Sequence, residues 1–127
     1  MTPDQWNMIK HFKSAEFDSP DLWGSGRLGM DYSFLIMLDL LREKCEFPFI
    51  VHSGFRTVAH NSELSGAVED SEHTIGKGVD IGVSTGAQRF KIVKEAITMG
   101  FTRIGIAKGF VHLGVDSTKP QQVIWLY

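Results

Sequence analysis

The sequence has little cysteine, no long apolar run and almost no net charge, and each shortage excludes something. A single cysteine, Cys45, cannot form an internal disulfide, which rules out a small disulfide-stapled scaffold. It equally rules out a cysteine-rich structural zinc site, so any metal must be held by nitrogen and oxygen. No apolar stretch approaches the roughly 20 residues that cross a bilayer; the longest, Phe34 to Leu41, is interrupted by Asp39. A formal net charge of −2 gives no reason to expect nucleic acid or an anionic membrane as partner. The opening Met1-Thr2-Pro3-Asp4-Gln5-Trp6 has no basic segment leading into an apolar one, so no secretory leader is expected. Repeats, low-complexity tracts and linkers are absent too.

What is there suits one globular domain over residues 1–127, expected to be monomeric. Hydrophobic residues at 43% and charged residues at 22% are ordinary for such a domain. Thr2 and Pro3 open a short helix running to about His11. A loop containing proline and glycine comes next, through Gly29. Asp31 caps the clearest helix, Tyr32 to Lys44, in which Phe34, Met37, Leu38, Leu41 and Cys45 recur at three- and four-residue steps. Phe49 to Ser53 reads as a short strand, and Thr57 caps a short helix from Val58 to Ser65. Gly78 to Val83 alternates as a half-buried strand does. Ser84 or Thr85 starts a second amphipathic helix, stopped by Gly100. Arg103–Ala107, Phe110–Gly114 and Val123–Leu126 read as closing strands, with Lys108-Gly109 turning the first hairpin. Early helices and hairpin-linked strands make the class α+β, with an antiparallel sheet packed against helices.

Chemistry concentrates in Ser71-Glu72-His73-Thr74-Ile75-Gly76-Lys77-Gly78-Val79-Asp80-Ile81 and in Phe110-Val111-His112-Leu113. Side chains alternate faces along a strand, so Asp80 lies opposite Val79 and Ile81, and His112 opposite Val111 and Leu113. Two polar residues set between apolar neighbours on two strands can converge on one cleft, and His73 reaches it from the loop. Singly, each has a plain structural role open to it: a loop histidine, a turn aspartate, a core histidine. Together, two imidazoles and a carboxylate form a three-ligand set for a divalent zinc ion with its fourth position open, the arrangement of a catalytic site. The expectation is a zinc hydrolase. Trp6, Trp23 and Trp125 could stack on the sugar rings of a glycan but read more readily as core or half-buried anchors. His11 reads as a surface residue and His60 as part of a short helix, while His52 alternates on the strand leading to Arg56 and is placed at the cleft.

Ser53-Gly54-Phe55-Arg56-Thr57, His60-Asn61, Ser71-Glu72-His73, Gly78-Val79-Asp80-Ile81 and Phe110-Val111-His112 occur in an order that resembles the zinc D-Ala-D-Ala carboxypeptidase family, peptidase M15, in its short single-domain phage and bacterial members. These five separated elements, spread over most of the chain, carry the resemblance. It implies an antiparallel sheet with helices in the hedgehog/DD-peptidase-like zinc fold, and Zn²⁺ held by His73, Asp80 and His112. It also implies that Arg56 binds a peptide carboxylate or polarises the scissile carbonyl, with Ser71 beside it. A guanidinium's planar fork of donors matches a carboxylate.

The resemblance fails at the proton acceptor. Relatives place a glutamate three residues before the last ligand, or a histidine two before it, where this chain has Gly109 and Phe110; the aspartate common two residues after that ligand is Gly114. Asp116 is then the candidate general base and Glu72 the second choice. The implied activity is metal-assisted hydrolysis of an amide in peptidoglycan stem peptides or cross-links, by an enzyme made in the cytoplasm that acts on the wall after release, as a phage endolysin does. Competing expectations are a zinc-holding but catalytically weak structural or binding module of phage, and a cytosolic D-Ala-D-Ala dipeptidase.

Overall fold

The computed structural model describes residues 1–127. Five short strands form one sheet: β1 (Ile50–Ser53), β2 (Gly78–Gly82), β3 (Arg103–Ile106), β4 (Phe110–Gly114) and β5 (Val123–Leu126), in spatial order β1-β2-β4-β3-β5. All neighbours are antiparallel except β5, which joins β3 in parallel. The sheet is therefore mostly antiparallel, with one departure from expectation. Residues 115–122 carry the chain past β3 before it pairs, so it arrives running in the direction of β3.

Helices lie around the sheet: α1 (Pro3–Asn7), α2 (Ser25–Gly29), α3 (Tyr32–Cys45), α4 (Val58–Glu63) and α5 (Gly86–Met99), with 3-10 turns at Ser14–Phe17 and Glu72–Ile75. The caps fall where short polar side chains can take up free N–H groups at a helix start. Asp31 accepts from Phe34 N, Thr57 from His60 N and Thr85 from Gln88 N. Helix α1 is shorter than expected because a tertiary contact captures the backbone just beyond it. The Asp39 carboxylate, buried in α3, accepts from Lys10 N and His11 N at 2.8 and 3.0 Å.

Alternation along the strands sorts the sheet into two faces. Val79, Ile81, Ile104, Val111 and Leu113 are wholly or almost wholly buried on one, where they join Phe34, Leu35, Leu38, Leu41, Ile92 and Ala96 from α3 and α5 in one core. On the other face a single row crosses all five strands: Ser53 is paired with Asp80, Asp80 with His112, His112 with Gly105, and Gly105 with Trp125. A neighbouring row holds Gly78, Gly114, Arg103 and Val123.

Candidate metal centre

Asp80 and His112 are direct cross-strand partners on β2 and β4, so the strand register alone brings their side chains together. His112 Nδ1 lies 2.8 Å from Asp80 Oδ1. His73 comes from the 3-10 turn that precedes β2, and its Nε2 lies 3.3 Å from the same oxygen. The turn is fixed at both ends. Ser71 Oγ accepts from His73 N, and Gly76, at φ 70°, closes it in the left-handed region that glycine adopts without strain. Gly76 also lies so close to Gly29 and Met30 that a Cβ there would collide with backbone.

The nitrogen roles are set by the partners. His73 Nδ1 donates to the Gly54 carbonyl at 2.8 Å, so Nε2 is the nitrogen that faces Asp80 and that would be free to ligate a metal. His112 Nε2 lies 2.5 Å from Glu72 Oε1, which leaves Nδ1 toward Asp80. The three donor atoms all lie within 4.8 Å of one another, and all three residues are buried. Zinc with arms of about 2.0–2.1 Å in a tetrahedron holds its donors roughly 3.3 Å apart; the His73–Asp80 separation of 3.3 Å matches that spacing, and the His112–Asp80 pair at 2.8 Å would open slightly to admit the ion. Two imidazoles and one carboxylate are a donor set that zinc takes, and both imidazoles have an outer partner that orients them.

The electrostatics of the cluster are cooperative. Burial by itself would raise the Asp80 carboxyl, but hydrogen bonds from His112 and His73 outweigh it and hold it well below the usual carboxylate range. At Glu72, burial also pushes upward, and the contacts with His112, Asp116 N and Arg103 bring the carboxyl below its ordinary value. Both stay anionic, as a cation site requires.

These residues form the floor of a cavity of about 570 Å³. Arg56 stands in its wall, and three contacts fix its guanidinium. Nε donates to Ser53 Oγ at 3.1 Å, Nη1 to Asn61 Oδ1 at 3.2 Å, and Nη2 lies 3.5 Å from Asp80 Oδ2. Asn61 is itself buried and donates to the Val68 carbonyl. Phe110, Trp125 and Tyr127 form an aromatic side to the cavity, and Arg103 and Lys119 add positive charge. Ser71 also lines it.

Two expected site residues lie outside the lining of this cavity. Asp116 does not line the cavity; its Oδ1 accepts from Thr118 N and Thr118 Oγ1 at 3.0 and 2.7 Å. It closes a turn of Asx type and is not aimed at the metal centre. His52 does not line the cavity either. A bulge between Val51 and Ser53 puts an extra residue into β1, and the His52 ring covers Gly82 at the end of β2. Glu72 reaches the cluster, but from behind His112. Asn61, Arg103, Trp125 and Tyr127 were not singled out as site residues from sequence. Asn61 carried a local signal, next to His60 in the family-like motif, and Arg103, Trp125 and Tyr127 lie in segments that also resemble the family.

A family model described as peptidase M15 matches residues 10–114, which takes in the strands and turns that hold the three metal-ligand candidates. No curated protein matches the chain.

Proposed function

The chain belongs to the peptidase M15 family, and from that premise we propose that it hydrolyses an amide bond in peptidoglycan, within a stem peptide or a cross-link. The family and the buried His73–Asp80–His112 cluster support a zinc peptidase. The observation that carries the reading is this cluster on the floor of an open cavity with Arg56 fixed in the wall. Zinc bound there would supply a Lewis acid that polarises the scissile carbonyl and makes water a stronger acid.

The protein's own groups have separable tasks. His73 and His112 present one nitrogen each while Gly54 O and Glu72 hold the protons on the other nitrogens. Arg56 presents a fork of donors to a peptide carboxylate or to the carbonyl oxygen as charge builds on it. Its three fixed contacts mean that little side-chain entropy remains to be lost on binding. The aromatic side formed by Phe110, Trp125 and Tyr127 offers an apolar shelf for a peptide's methyl groups or a sugar face. Cleavage takes place at the cell wall after the protein leaves the cytoplasm, with stem peptides as the partner.

A second reading draws on a specific observation. The carboxylates lining the cavity are Glu72 and Asp80, and both are engaged with histidines. A positioned general base typically contributes about 10²–10⁴-fold, so a site without a free one suits a zinc-holding module of weak activity. Purified protein with zinc is incubated with intact sacculi and with free D-Ala-D-Ala, with and without a chelator, and products are read by mass spectrometry. Chelator-sensitive release of stem-peptide fragments supports the wall peptidase. Cleavage of the dipeptide alone reassigns the substrate. With full zinc occupancy and neither substrate cut, only the binding module survives.

A further inference from the structure

We infer that Glu72 is a positioning residue for the metal centre: its carboxylate fixes His112 so that Nδ1 faces the metal, and Gly78 and Gly114 are the slot that admits it. The inference rests on the zinc reading of the cluster and adds a role that the ligand set does not contain.

The geometry is one-sided. His112 uses its two nitrogens in opposite directions, Nδ1 toward Asp80 Oδ1 at 2.8 Å and Nε2 toward Glu72 Oε1 at 2.5 Å. Carboxylates face both nitrogens, so it is a cation taking up Asp80 Oδ1 that would free the Nδ1 lone pair, while Glu72, behind the ring, keeps the proton on Nε2. The imidazole ring then stands between Glu72 and the point where the three donors converge. That placement suits an outer partner of a ligand and is wrong for a base that must touch the reacting water.

Glu72 is also held independently of His112. Arg103 Nε donates to Oε1 at 3.2 Å, and Asp116 N donates to Oε2 at 3.2 Å. Arg103 in turn donates to the Pro120 carbonyl at 2.7 Å and lies over the Trp125 ring. Glu72 is 3% exposed, so the position of its carboxylate is set before any ligand arrives. Room for it comes from two glycines on adjacent strands, paired with each other in the register. A Cβ on Gly114 would fall onto the Glu72 carboxylate, and one on Gly78 would come within 2.6 Å of Glu72 Cγ and 3.0 Å of His112 Cε1. Any side chain at 114 would displace the group that orients His112. One turn thus gives the site two consecutive residues with different duties: His73 as a ligand, and Glu72 behind the other histidine.

The test measures metal and tautomer, not turnover. Zinc affinity is determined by competition with a chromogenic chelator for the unaltered protein, Glu72→Gln, Glu72→Ala and His112→Ala. Nitrogen-resolved NMR of the zinc-loaded protein reads which His112 nitrogen carries the proton. Loss of an outer partner typically weakens metal binding about 10–100-fold, so Glu72→Gln is expected near the lower end and Glu72→Ala near the upper. The unaltered protein is expected to show the proton on Nε2. Glu72→Gln keeps the shape of the side chain, so it decides the matter if Glu72→Ala does not fold. A Glu72→Gln affinity within about threefold of the unaltered protein, or zinc found on Nε2, overturns the inference while leaving the zinc site standing. An unaltered protein that binds no zinc overturns both.

Discussion

Gly114→Ala adds one methyl group, and the structure says where it must go: onto the carboxylate of Glu72. The strand cannot yield easily, because Gly114 is paired on both sides, with Gly78 on β2 and Arg103 on β3. Glu72 must therefore move, and moving it strains contacts to His112, Arg103 and Asp116 N in a buried place. Overpacking a close-packed site costs about 1–3 kcal/mol, and a displaced charge-assisted hydrogen bond adds about 1.5–3. With partial relaxation a loss of roughly 2–4 kcal/mol is expected, which at about 4 °C per kcal/mol for this chain length is a Tm drop of roughly 8–16 °C. Gly86→Ala is the matched control. Nothing lies within 4 Å of a Cβ there and its φ is not in the left-handed region, so the same methyl should stabilise by about 0.4–1 kcal/mol through the unfolded chain. Thermal and urea unfolding of both metal-free variants measures the contrast. A Gly114→Ala protein melting within about 4 °C of the unaltered one would mean that Glu72 is free to swing aside, and the slot argument would fail.

Arg56→Lys keeps the charge and loses the fork; zinc affinity should stay within about threefold while kcat/KM on stem peptides falls roughly 10–100-fold, as loss of a charge-assisted pair implies. Asp116→Asn retains Oδ1 as acceptor for Thr118, so turnover should change by no more than about twofold; a large loss would restore Asp116 as the base. Burial pushes the Cys45 thiol up to about 11, so at pH 8 the native protein should react with a disulfide reagent more than about a hundredfold slower than the unfolded chain. That shift also sets a sign and a pH window for stability. The buried thiol favours its protonated form, so this group lowers stability only as pH rises above the unfolded value near 8.5. Stripping zinc with a chelator should abolish hydrolysis yet leave the far-ultraviolet circular dichroism unchanged, with Tm falling by about 16 °C relative to zinc at a thousandfold above its Kd.

Alternation made much of this legible in advance. Val79, Ile81, Val111 and Leu113 needed one face, which forced Asp80 and His112 onto the other, and a cross-strand pairing of those two is one of few registers that buries both apolar sets. The caps Asp31, Thr57 and Thr85 are equally local signals. Three features were not local. A bulge at His52 turns on how β1 meets β2 and leaves no period in the sequence. The parallel entry of β5 is decided by the path of residues 115–122 around β3. Glu72 could be suspected from its neighbour His73, but its direction depends on the absence of side chains at two glycines, 78 and 114, that lie far apart in the chain. Asp116 is a different case. Asp-Ser-Thr is a turn signal in itself, which agrees with the Thr118 contacts its carboxylate accepts.

The metal cluster and the core occupy opposite faces of the same sheet, and this decides how the protein should respond to metal loss. Val79 and Ile81 are anchored in the core on either side of Asp80, and Val111 and Leu113 on either side of His112. The ligand positions are therefore set by apolar burial, at roughly 1.5–3 kcal/mol for each such side chain, and not by the ion. In small zinc modules the metal supplies the folding energy, because no core exists without it. Here an ion would meet a frame already built, with His73 braced by Gly54 O and His112 by Glu72. What an ion would replace is the set of hydrogen bonds by which the two imidazoles hold the buried Asp80 carboxylate. The cost of assembling that charge is borne by the core before any metal binds, which is why a substitution behind the ligands, at 72 or 114, should be felt in metal affinity even where the fold survives it.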